Sequence, residues 1–121
     1  MGMFSCVNKQ SAIIARGLAG AALLFSALSN AEMVIIDVRT PQEFASSHVD
    51  GALNIPYENI IQGAADHGIK RDDEVVLYCR SGRRAGVALN ALKGAGFEQL
   101  INTETEAGTR FYLQGKTATK F

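Results

Sequence analysis

Hydrophobic positions along the chain fall into two kinds of run. Residues 33–38 (MVIID followed by Val38) and 74–78 (EVVLY) are short, β-branched and nearly continuous, as expected of strands buried on both faces. Residues 52–55 form a briefer strand closed by Pro56, and residues 99–101 a weak one. Between them lie helical signals. Thr40 as N-cap, Pro41 in the first turn and Glu43 within that turn predict a short helix over residues 41–46. Residues 57–65 put Ile60 and Ile61 on one helical face and end near Gly68. Over residues 83–95, Val87, Ala88, Leu89, Ala91 and Leu92 recur at helical spacing, and Gly94 and Gly96 supply the stop. Strands separated by helices predict an α/β fold: a small parallel sheet flanked by helices on both faces, with ligands at the carboxyl ends of the strands. From Thr103 to Phe121 the pattern is too weak to assign an element.

The first 31 residues read as an address. Lys9 and Arg16 precede a charge-free apolar run of 12 residues, 17–28 (GLAGAALLFSAL), with no acid before Glu32. Ser29 and Ala31 then place small residues three before and one before a cut after Ala31. This is the three-part pattern of a secretory signal peptide, and the apolar run is short of the roughly 20 residues a membrane span needs. The expectation is an exported domain over residues 32–121, with no stable membrane anchor after cleavage. Cys6 leaves with the leader, so Cys79 becomes the only thiol.

Composition narrows the function. A chain of 121 residues with 47% hydrophobic residues is one globular domain rather than two, and is not disordered. Twelve basic against 12 acidic groups give no cationic excess for nucleic acid. Cleavage removes Lys9 and Arg16 and no acid, leaving the domain mildly acidic. His48 and His67 lack a metal-ligand spacing, so no metal is expected, and His48 reads as ordering its turn. Residues 70–74 (KRDDE) read as a solvated turn.

Against that background residues 78–85, YCRSGRRA, stand out, because they join an apolar strand to an amphipathic helix. Cys79 ends the strand, Gly82 permits a tight loop, and the helix starts near Arg83. Several backbone N–H groups can then converge on one point, a nest that binds anions and stabilises a thiolate. Arg80, Arg83 and Arg84 add three positive charges, which at a helix N-terminus cost stability unless an anion compensates. Nest and arginines together should lower the Cys79 pKa and make a reactive thiolate in an anion-collecting bowl.

Four stretches, IDVRTPQEF (36–44), HVDGALNIPY (48–57), VVLYCRSGRRA (75–85) and GAGF (94–97), in this order and spacing, resemble the single-domain rhodaneses, and among them the exported thiosulfate sulfurtransferases of the phage shock protein E type. The resemblance covers about residues 34–100. It implies the rhodanese fold, a periplasmic location, Cys79 as the sulfur carrier, a loop of Arg80, Ser81, Gly82, Arg83 and Arg84 around the substrate, and Asp37 and Arg39 as supports of that loop. The implied reaction is ping-pong transfer of the sulfane sulfur of thiosulfate to cyanide or a thiol through a Cys79 persulfide, with no cofactor. A persulfide carrier or binding module without turnover is the alternative. Four residues separate Cys79 from Arg84, whereas cysteine phosphatases have five, so phosphatase or arsenate reductase chemistry is a minor reading. Two departures stand out: Ser47 replaces the usual Gly before His48, and NTETEAGTRFYLQ (102–114) lacks the Gly-Gly and Trp pattern common after the last strand.

Overall fold

A computed structural model describes residues 31–118; the predicted leader, Cys6 included, lies outside the described residues up to Asn30. Four strands, β1 (Met33–Asp37), β2 (Leu53–Asn54), β3 (Glu74–Tyr78) and β4 (Gln99–Glu104), form one sheet in the order β2-β1-β3-β4, parallel throughout. β1 and β3 lie at its centre and pair from Met33↔Glu74 to Asp37↔Tyr78. That central position explains their unbroken apolar character, since both faces are covered.

The faces are covered by different helices. α1 (Pro41–Ser46), α2 (Ile60–Asp66), α3 (Arg83–Gly94) and α4 (Glu106–Ala118) follow β1, β2, β3 and β4 in turn. Ile36, Val38, Val75, Leu77 and Cys79 point to one face, where they pack with Ile60 and Ala64 of α2 and Ala85, Ala88 and Leu92 of α3. Ile35, Val76 and Tyr78 point to the other and meet Val49, Tyr112 and Leu113. This is the expected layering of helices on both sides of a parallel sheet.

Three expectations need correction. Residues 57–59 form a 3-10 turn before α2 begins, and Ile60 and Ile61 do not share a face: Ile60 is buried and Ile61 exposed, because adjacent helical residues lie about 100° apart. The 70–74 turn is not wholly solvated, since Asp73 is buried and its carboxylate accepts from the N–H groups of Lys70 (2.8 Å) and Glu32 (3.0 Å). Residues 103–118, too weakly patterned to assign, form the end of β4 and the 13-residue α4. A bulge passes between the pairs Leu77↔Asn102 and Tyr78↔Glu104. At this bulge the Thr103 hydroxyl donates to Leu77 O (3.3 Å) and lies 2.6 Å from the hydroxyl of buried Thr109 in α4. Gly108 makes that contact possible, since a Cβ there would lie 2.1 Å from Thr103 O. Among the described residues no helix is long and apolar enough to cross a membrane.

Candidate active site

The carboxyl ends of β1 and β3 and the start of α4 enclose a cavity of about 310 Å³, with Cys79 in its lining. Cys79 directly follows β3, and its N–H donates to Glu104 O (3.1 Å), which ties the start of the loop to the end of β4. The loop then turns at Gly82, whose φ of 95° is in the left-handed region. Asn102 Nδ2 donates to Gly82 O (3.0 Å) and holds the turn from behind. The Gly82 N–H lies 3.1 Å from Cys79 Sγ. Burial pushes the thiol pKa up, but the N–H groups of Ala85, Ser81, Gly82 and Arg84 outweigh it and hold the thiol below its ordinary value.

The predicted nest is therefore present, but the arginines act otherwise than expected. Arg80 Nε donates to Glu43 Oε2 (3.0 Å), and Arg84 Nη1 donates to Glu43 Oε1 (2.9 Å). Arg83 is exposed and takes no part in the cavity wall. Glu43 is thus an internal anion that compensates two cations at the α3 N-terminus. Those hydrogen bonds, Arg84 foremost, hold its carboxyl well below the usual range. Glu43 also closes a capping box on α1: Thr40 N–H donates to its Oε1 (2.9 Å), and its own N–H donates to Thr40 Oγ1 (3.2 Å). The Thr40-x-x-Glu43 spacing announces the cap, but not the arginines that share it.

Asp37 and Arg39 form a buried pair, with Asp37 0% and Arg39 5% exposed. Arg39 Nε donates to Asp37 Oδ1 (2.8 Å) and Nη2 to Oδ2 (2.7 Å), while the Tyr78 hydroxyl donates to the same Oδ2 (3.1 Å). Burial raises the Tyr78 pKa to about 12. This burial sets the pair apart from a plain surface ion pair. Arg39 Nη2 also donates to Ser47 O (2.7 Å), and the Ser47 hydroxyl donates to Glu106 Oε1 (2.8 Å). The serine that departs from the family's glycine therefore links α1 to α4. Glu106, unsuspected from the sequence, lines the cavity beside Thr105 and Ala107. The expected Gly-Gly is missing, yet the backbone still enters the left-handed region there, at Glu104 (φ 71°). His48 orders its turn, with Nδ1 2.7 Å from Phe44 O and its ring stacked on Phe44 at 3.6 Å.

Residues 21–105 match the family described as the rhodanese-like domain. The chain belongs to that family. This rhodanese is 36% identical over 87 residues to the thiosulfate sulfurtransferase PspE of Escherichia coli K12, a match covering 72% of the chain and 84% of PspE. It is 32% identical over 74 residues to YrkF of Bacillus subtilis, which bears the provisional name of a sulfur carrier protein; that match covers 61% of this chain and only 39% of YrkF. Among solved structures, a rhodanese with anions from E. coli superposes with a TM-score of 0.60 at 32% identity, covering 63% of this chain and 89% of that one. These likenesses place the chain among the sulfurtransferases.

Gly82→Ala is expected to destabilise the fold by about 1–3 kcal/mol, because a side chain is strained at this φ. The added Cβ would also lie 2.9 Å from Glu104 Cγ. The same change should displace the Gly82 N–H, 3.1 Å from Cys79 Sγ, and slow alkylation of the thiol. Urea melts together with iodoacetamide kinetics would show both effects, and an unchanged alkylation rate would remove Gly82 from the cradle.

Proposed function

We propose that this rhodanese is an exported thiosulfate sulfurtransferase that works through a Cys79 persulfide. The observation that carries the reading is the Cys79 sulfur in the lining of a charged cavity, with backbone N–H groups holding its pKa low. The thiolate attacks the outer sulfur of thiosulfate, forming a Cys79 Sγ–S bond. The sulfur–sulfur bond of thiosulfate breaks, and its electron pair leaves on sulfite. Cyanide or a thiol then attacks the outer persulfide sulfur and releases the Cys79 thiolate. Neither step changes the net oxidation state, so no redox cofactor is called for. Arg80 is the exposed cation on the approach, Arg39 the buried one, and the N–H groups of Ser81 and Gly82 face the anionic sulfur.

A carrier that loads once and discharges to a partner is the second reading, supported by the likeness to YrkF. Phosphate-ester hydrolysis fits the cavity poorly. Its two carboxylic acids, Glu43 and Glu106, both have lowered pKa values, so neither stays protonated at neutral pH to serve a leaving oxygen. Export through the leader belongs to the same proposal. A cut after Ala31 would leave the ammonium of Glu32 where its N–H now meets Asp73 Oδ1 at 3.0 Å.

Intact mass spectrometry after thiosulfate and then cyanide tests the reaction. The expected result is the gain of one sulfur atom, then its loss as thiocyanate over many cycles. A single cycle would favour the carrier, and no gain would refute both. Alkylation across pH gives an independent check. A folded-state pKa below the ordinary thiol value means that the folded protein reaches half its maximal rate at a lower pH than the urea-unfolded chain. A midpoint equal to or above that of the unfolded chain would contradict the thiolate cradle.

A further inference from the structure

We infer that Glu106 sets the charge preference of the cavity, turning it from anionic acceptors toward a thiol that carries a cationic amine. The inference rests on the sulfur-transfer reading above and names the acceptor class for that site. Glu106 is the first residue of α4, and its carboxylate lies in the same cavity wall as Cys79. Its side chain is only 21% exposed.

The other charges around the cavity are largely matched. Arg39 is held by Asp37 at 2.7 Å, and its approach to Glu106 is longer, with Nη1 3.7 Å from Oε1. Arg80 and Arg84 share Glu43. Glu106 Oε1 accepts from the neutral Ser47 hydroxyl at 2.8 Å. Of its two cations, Arg39 lines the cavity at 3.7 Å but is already held by Asp37, and Arg110, with Nη2 3.0 Å from Oε2, is a half-exposed neighbour on α4 outside the lining. Such an exposed pair is screened by solvent and does little to cancel a charge that faces the cavity. On one side Arg80 in the lining and Arg84 behind it share the single charge of Glu43, and on the other, where α4 begins, Glu106 is the carboxylate in the lining, with Arg39 as its cavity cation at 3.7 Å.

This arrangement separates the two half-reactions. The dianionic donor is drawn to the arginine side. In the second half-reaction the acceptor thiolate attacks the outer persulfide sulfur, the acceptor S–S bond forms, the Cys79 Sγ–S bond breaks, and the acceptor's proton passes to solvent. A short aminothiol suits this step in two ways. Its ammonium is attracted by Glu106, and the same ammonium lowers the pKa of its own thiol, so that more of it is thiolate at neutral pH. A carboxylate-bearing thiol would meet Glu106 as a like charge.

The test uses protein loaded with sulfur from thiosulfate and freed of donor, then discharged with cysteamine, 2-mercaptoethanol or mercaptoacetate. Each rate is compared between wild type and variant, so the intrinsic reactivity of each thiol cancels. Relative to 2-mercaptoethanol, Glu106→Gln is expected to slow cysteamine and speed mercaptoacetate, by about fivefold per unit of charge by which the acceptor thiolates differ. Added salt should shrink the spread in wild type, since screening weakens it. Glu106→Asp keeps the charge and should keep the wild-type order. An equal change with all three thiols in Glu106→Gln would show a structural role only and overturn the inference. Wild type that loads no sulfur at Cys79 would instead overturn the proposed function on which it stands.

Discussion

Cys79→Ser is expected to take up no sulfur from thiosulfate, and sulfur transfer to fall by about a thousandfold or more, the scale seen when a covalent nucleophile is removed. The N–H groups around the site stabilise an anion only if the group there can become one at working pH. A thiol held below its ordinary pKa can do so, whereas a serine hydroxyl cannot. The fold should be little affected. Cys79 is 2% exposed in the apolar cluster under the sheet, and a Ser in its place keeps the shape and can still accept from the Gly82 N–H. Denaturation midpoints close to wild type, together with a mass spectrum free of added sulfur, are the expected pair of results. Retained transfer would move the chemistry elsewhere.

Asp37→Ala costs about 3–5 kcal/mol, the usual penalty for leaving a buried charge without its partner. The Arg39 guanidinium, 5% exposed, loses both carboxylate oxygens of Asp37 and keeps only the longer approach to Glu106 at 3.7 Å, while the Tyr78 hydroxyl loses its acceptor. For a domain whose whole stability is about 5–15 kcal/mol, that is a large share. Urea denaturation would measure it, and the double variant Asp37→Ala, Arg39→Leu should recover part of the loss, because it removes the charge as well. Recovery stays partial, since Arg39 also holds Ser47 O and thereby α1. A loss below about 1 kcal/mol in the single variant would mean that the guanidinium escapes to solvent.

The central strands and α3 were legible because their signals are local. Residues 34–36 and 75–78 are apolar on both faces, and of the α3 positions read as apolar at helical spacing Ala88 and Leu92 are buried, joined by Ala85, while Val87 faces solvent. Cys79, Gly82 and the N–H nest followed from the same stretch. Only the first half of β4, residues 99–101, was legible, and α4 not at all, for two reasons. β4 is half-buried and bulged, so its polar Asn102 and Thr103 break any alternation. α4 contains Gly108 and Gly115 and buries a threonine, Thr109, where a pattern reader looks for a leucine. Glu43 and Glu106 share a different difficulty. Each draws its importance from partners distant in sequence, Arg84 for one and Ser47 for the other, and only the folded chain brings them together.

The tether between the Cys79 loop and β4 has a consequence in time. The Cys79 N–H finds its acceptor at Glu104, and Gly82 is held through Asn102, so the loop reaches its final form only after the last strand has joined the sheet. Parallel strands pair across long stretches of chain and assemble late. Before that moment the sulfur is flanked by mobile amides and solvent, and ionises like any free cysteine. Nucleophilicity is thus acquired with completion of the fold rather than with synthesis of the residue, and a chain not yet folded carries a thiol of ordinary reactivity.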